Sequence, residues 1–199
     1  MKKVLLIALV LGSVSAAAAQ TSNTGAGECK LKLSQAPVVR GIHLGMTVNE
    51  VLAVFPGADK NETLLRSLSE PRFGVITADV VPSYYGSKER FVGIRSVNFG
   101  FLDGELNLFA VTYNGPDWKN DEQFASKVAE TLNLPGVESW KPSLGGKALA
   151  CDGFEVSVQM PTENWGNTIK VRNLEKDVNR IVREREEAVK DAARRAFRP

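Results

Sequence analysis

The chain has 199 residues, 43% hydrophobic and 24% charged, with 25 Lys and Arg against 23 Asp and Glu. That length suits one domain, and the near balance of charge excludes a disordered polyanion and a strongly basic nucleic-acid binder. A single histidine, His43, and two cysteines, Cys29 and Cys151, leave little room for histidine or thiol catalysis or a zinc site, and no cofactor or metal is expected.

Lys2 and Lys3 precede an apolar run over 4–11 and then small residues up to Ala19. This is the pattern of a secretory signal peptide over residues 1–19, with Ala17 and Ala19 fitting cleavage after Ala19. The run is too short to cross a hydrocarbon core about 30 Å thick. Loss of the two lysines leaves 23 basic against 23 acidic residues, so the expected mature chain, periplasmic or secreted, is neutral. Residues 20–36 read as a flexible leader, small and polar over 20–28. In an exported chain the two cysteines most simply pair with each other. A lipidated Cys29 and a reactive thiol pair are the alternatives. Against them, Glu28 stands where lipidation asks for a small residue, and the spacing is not CxxC.

A single α+β domain is expected over 37–175. Residues 38–46 read as a short extended segment. Thr47 and Glu50 form a capping box, and Val48, Val51, Leu52 and Phe55 follow on one helical stripe until Pro56-Gly57 stops it. A second short helix is expected over 60–69, with Leu64, Leu65 and Leu68 apolar. The period then changes to that of a strand over 73–81, followed by a turn-rich loop over 82–90. Strands over 94–102 and 105–113 flank Asp103-Gly104, a type I′ hairpin signal. Strict alternation from Leu102 opposite Glu105 pairs Phe101 with Leu106, Phe99 with Leu108 and Val97 with Ala110 on one face.

A further helix is expected over 120–133, capped by Asn120 with Gln123, apolar at Phe124, Val128 and Leu132, and ended by Pro135-Gly136. A strand is expected around Trp140. Next come strands over 147–151 and 154–160 around Asp152-Gly153, with Leu149 facing Val156, and a last strand over 168–174 with Ile169 and Val171 on one side. The end, residues 176–199, reads as a charged helix with a thin apolar stripe interrupted by Arg185. On it Glu186–Lys190 and Asp191–Arg195 are spaced as i, i+4 pairs. The order helix, hairpin, helix, hairpin hints at two related halves. The fold class is therefore α+β: an antiparallel sheet with helices on one face, plus the charged C-terminal helix.

Chemistry-bearing motifs are few. His43, between Ile42 and Leu44, reads as solvent-facing, and there is no G-x-S-x-G, HExxH, P-loop or G-x-G-x-x-G to give it a role. Asp117, Asp121 and Glu122 cluster at a helix start, where carboxylates suit the helix dipole. Tyr84, Tyr85 and Phe91 around a loop tip, and Trp165 in a polar loop, are residue types that dominate protein interfaces; folding back over the sheet rim is the alternative. The basic end of the last helix offers weak contact with anionic lipid.

The stretch Arg40-Gly41-Ile42-His43-Leu44-Gly45-Met46-Thr47-Val48-Asn49-Glu50-Val51-Leu52 resembles the opening of the SmpA/OmlA (BamE-like) domain, a unit that the β-lactamase inhibitor protein repeats in tandem. The resemblance implies an exported, non-catalytic scaffold with a helical pair on a small antiparallel sheet. It carries over no functional residues: Thr47 and Glu50 match as cap residues only, and Cys29 lacks the context of a lipoprotein cysteine. The expected function is a non-catalytic protein-binding or scaffold domain of the bacterial cell envelope, with an unidentified protein partner and no nucleic acid. The alternative is an envelope hydrolase or small-ligand-binding protein, with His43 or the Asp117/Asp121 pair in a pocket.

Overall fold

The computed structural model describes residues 28–86, 89–115, 117–160 and 166–197; the signal peptide expected over residues 1–19 lies outside them. Its elements are α1 (Val48–Val54), α2 (Glu62–Ser69), β1 (Val75–Val80), β2 (Ile94–Leu102), β3 (Glu105–Tyr113), α3 (Asp121–Thr131), β4 (Lys141–Ser143), β5 (Gly146–Ala150), β6 (Phe154–Gln159), β7 (Thr168–Asn173) and α4 (Val178–Ala196). All strand pairs are antiparallel, in one sheet of order β1-β2-β3-β7-β6-β5-β4. The fold is α+β. Two meanders, β1–β3 and β4–β7, each preceded by helix, meet through their last strands.

The inward sheet face follows strand alternation. Ile76, Ala78 and Val80 of β1 lie beside Phe101, Phe99 and Val97 of β2; Phe109 and Val111 of β3 lie beside Val171 and Ile169 of β7; and Val156 of β6 continues to Leu149 of β5. All are buried. α2 packs over β1, and α3 over β5 and β6. Phe55, at the end of α1, stacks on Phe91 at 4.8 Å and meets Phe99 edge-on at 5.9 Å.

The β2–β3 hairpin keeps Leu102 opposite Glu105 and Phe101 opposite Leu106, and then departs from strict alternation. Asn107 is an extra residue in β3, so Gly100 faces Leu108, Phe99 faces Phe109 and Val97 faces Val111. The expected Phe99–Leu108 and Val97–Ala110 pairs are therefore corrected by one residue. The reason is burial: the bulge turns Phe109 and Val111 inward, where they are fully buried, and leaves Leu108 and Ala110 outward.

One termination differs from expectation, and the strand expected around Trp140 is β4, which starts one residue later. α3 is ended by Asn133 at φ 53°, with Leu134 N–H donating to Ala129 O at 2.8 Å, a Schellman motif formed before Pro135-Gly136 is reached. Trp140 precedes β4; its indole is buried and Nε1 donates to Pro135 O at 3.1 Å.

Residues 29–36 belong to the domain, although composition assigns them to a leader. Cys29 and Cys151 form a disulfide across 122 residues of sequence. Beside it Lys32 pairs with Asp152, and Asp152 N–H donates to Leu31 O at 3.0 Å. The segment thus lies along the β5–β6 turn. Loop closure on this scale is worth about 4–5 kcal/mol. Replacing both cysteines, Cys29→Ser with Cys151→Ser, should lower unfolding stability by roughly 2–5 kcal/mol, read as a fall in urea midpoint with a steeper slope, since the unlinked unfolded chain exposes more surface. An unchanged midpoint would show that the remaining contacts hold the segment alone.

Candidate functional site

Two tight turns meet at one end of the sheet. Phe73-Gly74 links Arg72 and Val75 through mutual N–H···O bonds of 3.0 Å, and Asp103-Gly104 joins β2 to β3. Both residues of each turn have positive φ, 53° and 82° in the first and 53° and 84° in the second, the conformation of a type I′ turn. An aromatic in the left-handed region costs about 1–2 kcal/mol, so Phe73 must be held there. Asp103 N–H donates to Gly74 O at 2.8 Å, and Arg185 of α4 clamps both turns. Its Nη1 donates to Phe73 O at 2.8 Å and to Asp103 Oδ1 at 2.7 Å, and its Nη2 donates to Asp103 Oδ2 at 2.8 Å. A Cβ on Gly74 would run into the Arg185 guanidinium and the Asp103 carboxylate.

Arg185, which reads in sequence as a break in the apolar stripe, is what docks the helix. The side chains of Val178, Ile181, Val182 and Arg185 are partly buried, whereas every described residue from Glu187 onward is exposed, including Val189 and Phe197. On that outer half, Glu186 pairs with Lys190 at 3.1 Å as expected. Asp191 pairs with Arg194 at 2.9 Å rather than with Arg195, a spacing one residue shorter.

With α1, α2 and α3 on the inward face, the opposite face of the sheet is covered only near α4. Gly100, Ala110, Ala148 and Ala150 present small side chains there, alternating with Thr77, Asn98 and Lys170. Arg172 and Glu155, directly opposed on β7 and β6, pair at 3.0 Å, and the Thr112 and Thr168 hydroxyls bond at 3.1 Å. Where α4 begins, a groove of about 530 Å³ opens on this face, lined by Asn98, Leu108, Asn173, Lys176 and Asn179 among others. Asn107, in the bulge, also lines it; the residue is 7% exposed and its Oδ1 has no hydrogen-bond partner among the described residues.

The four aromatics singled out as interaction candidates do not stay together. Tyr84 is 78% exposed, while Phe91 is 3% exposed and stacked into the core, which removes it from any surface. Tyr85 is partly buried, tilted against Phe55 with its hydroxyl accepting from Asn61 Nδ2 at 3.0 Å. Trp165 lies outside the described residues. Val92, at the far end of the same loop, is also exposed and drew no attention in sequence because a lone valine carries no signal.

His43 is exposed, with Nδ1 2.9 Å from Leu44 O, and neither this groove nor the apolar cleft described below is lined by His43, Asp117 or Asp121. Asn120 caps α3 by accepting from Gln123 N–H at 2.8 Å, while Gln123 Oε1 accepts from Lys119 N–H, one residue earlier than a capping box. Asp121 and Glu122 stand in the first turn of that helix. Thr47 and Glu50 do form the expected box, and the Thr47 bonds hold the Glu50 carboxyl below its usual range. Among the described residues no group of acidic, histidine or cysteine side chains could hold a metal, and no helix is long and apolar enough to cross a membrane. Comparison with known proteins returns no matching family, no matching curated protein and no matching solved structure.

The Arg185 bond holds the Asp103 carboxyl below the ordinary aspartate range. The pairing therefore contributes fully above the unfolded aspartate pKa and is lost as pH falls through the lower, folded value. The Asp103 carboxyl carbon should titrate below the ordinary range by NMR and return to it in Arg185→Met. Asp103→Asn, which suits the left-handed turn, should speed amide exchange over 178–186 at pH 7 without touching the central strands. Equal exchange in parent and variant would mean that α4 docks without the clamp.

Proposed function

We propose that this chain is a non-catalytic protein-binding domain of the bacterial cell envelope, exported through its N-terminal segment. The observation that carries this reading is the uncovered sheet face. Seven strands wide, it carries small side chains between the polar and charged Thr77, Asn98, Glu155, Lys170 and Arg172, a mixture that suits the surface of another protein. A disulfide is at home in an oxidising compartment, which agrees with export. The BamE-like opening at residues 40–52 agrees with a scaffold role. The exposed Tyr84 and Val92 add an apolar contact at the sheet's β1–β2 edge, and the basic outer half of α4 adds an accessory contact with anionic lipid.

The mature protein, immobilised, should retain a discrete partner from envelope extracts. Ala110→Arg, at the middle of the open face, should weaken that capture at least about tenfold, as a charge buried at an interface without a mate does. Tyr84→Ala with Tyr85→Ala and Trp165→Ala should weaken it less. Recovery of the same proteins by the arginine variant, or of none by the parent, would overturn the reading.

A further inference from the structure

A second concavity lies on the inward side. The helices sit over the flanks of the sheet, α2 over β1 and α3 over β5 and β6. Near Tyr113 at the end of β3 and Ile169 of β7 lies the tight turn Val39-Arg40-Gly41-Ile42, whose ends exchange N–H···O bonds of 2.9 and 3.0 Å. Between this turn and α3 a cleft of about 480 Å³ remains open, within the size range of small-molecule sites. Its floor is Ile169 and Tyr113, and one wall is the α3 side carrying Phe124, Val128 and Leu132. Trp118 stacks on Phe124 at 5.6 Å, and Val38, 56% exposed, is an aliphatic side chain left at the mouth.

The polar groups around this apolar cleft have one sign. Arg40 and Lys127 line it, and no lining residue is acidic. Lys127 is engaged by Glu130 at 2.7 Å, from three positions further along α3. Arg40 makes no ion pair or hydrogen bond among the described residues, although its field reaches Tyr113. The Tyr113 hydroxyl likewise has no hydrogen-bond partner among them, and burial pushes its pKa up, so it remains a donor at neutral pH. A guanidinium and a phenol without partners beside an apolar trough match one ligand chemistry: a carboxylate head on an apolar body.

We infer that this cleft binds a small apolar monocarboxylate, its tail along Phe124, Val128 and Ile169 and its carboxylate on Arg40 and Tyr113. The site is distinct from the open sheet face, on the opposite side of the sheet, so it stands whether or not that face binds a protein. Decanoate is a suitable probe, with decanol as the neutral control, titrated calorimetrically into the mature protein below micelle-forming concentrations. Decanoate should bind at one site, and decanol at least about tenfold more weakly, the factor set by a charge-assisted hydrogen bond. Arg40→Asn removes the charge while suiting the turn's left-handed residue; it should reduce decanoate affinity about tenfold and leave decanol unchanged. Thr131→Trp, at an exposed cleft-lining position of α3, should block both ligands with the circular dichroism spectrum retained. Absence of decanoate binding, or equal binding of decanoate by the parent and Arg40→Asn, would overturn the inference.

Discussion

The pairing of β3 with β7 holds the molecule together. Residues 108–112 and 168–172 face each other in register, and without those bonds the chain would be two separate meanders, each with an unpaired edge and half a core. The pairing places Phe109 against Val171 and Val111 against Ile169, so the apolar layers of both halves become continuous. It also depends on a defect. The Asn107 bulge in β3 rotates the strand by one residue, and without it Leu108 and Ala110 would point inward in place of Phe109 and Val111.

The same arrangement accounts for both candidate surfaces. Because all the early helices sit inward, the outward face keeps its small side chains accessible. Because α3 sits over β5 and β6, a cleft remains between it and the Arg40-Gly41 turn, beside Tyr113 and Ile169. The segment Gly45–Thr47 helps to locate α1: Gly45 N–H donates to Leu106 O at 2.8 Å and Leu106 N–H to Met46 O at 2.7 Å, using the part of β3 that β7 does not reach. The capped start of the helix is thus tied directly to the end of the central strand.

What was legible in the sequence was local. The Thr47–Glu50 box, the Asp103-Gly104 and Asp152-Gly153 turns and the alternation in β7 each depend on residues a few positions apart, and the cysteines left one simple pairing. What was not legible depends on distant partners. Nothing near Asn107 announces a bulge, since the choice between Leu108 and Phe109 is made by the core they enter. Phe73-Gly74 and Arg40-Gly41 adopt the same turn as Asp103-Gly104 without its usual first residue. Arg185 looked like an interruption because its two anchors are 82 and 112 residues away. The cleft could not be read at all, as its walls come from four separate segments.

The Cys29–Cys151 bond has a topological consequence. It makes residues 29–151 a covalent ring that contains α1, α2, α3 and the first five strands. A single backbone cut in any surface loop of that ring, the long β1–β2 connection included, opens the ring without dividing the molecule. The nicked protein keeps both termini of the cut attached to one sheet and can re-form its contacts as a unimolecular event. The linkage thus sets how the protein survives a cut as well as how firmly it folds.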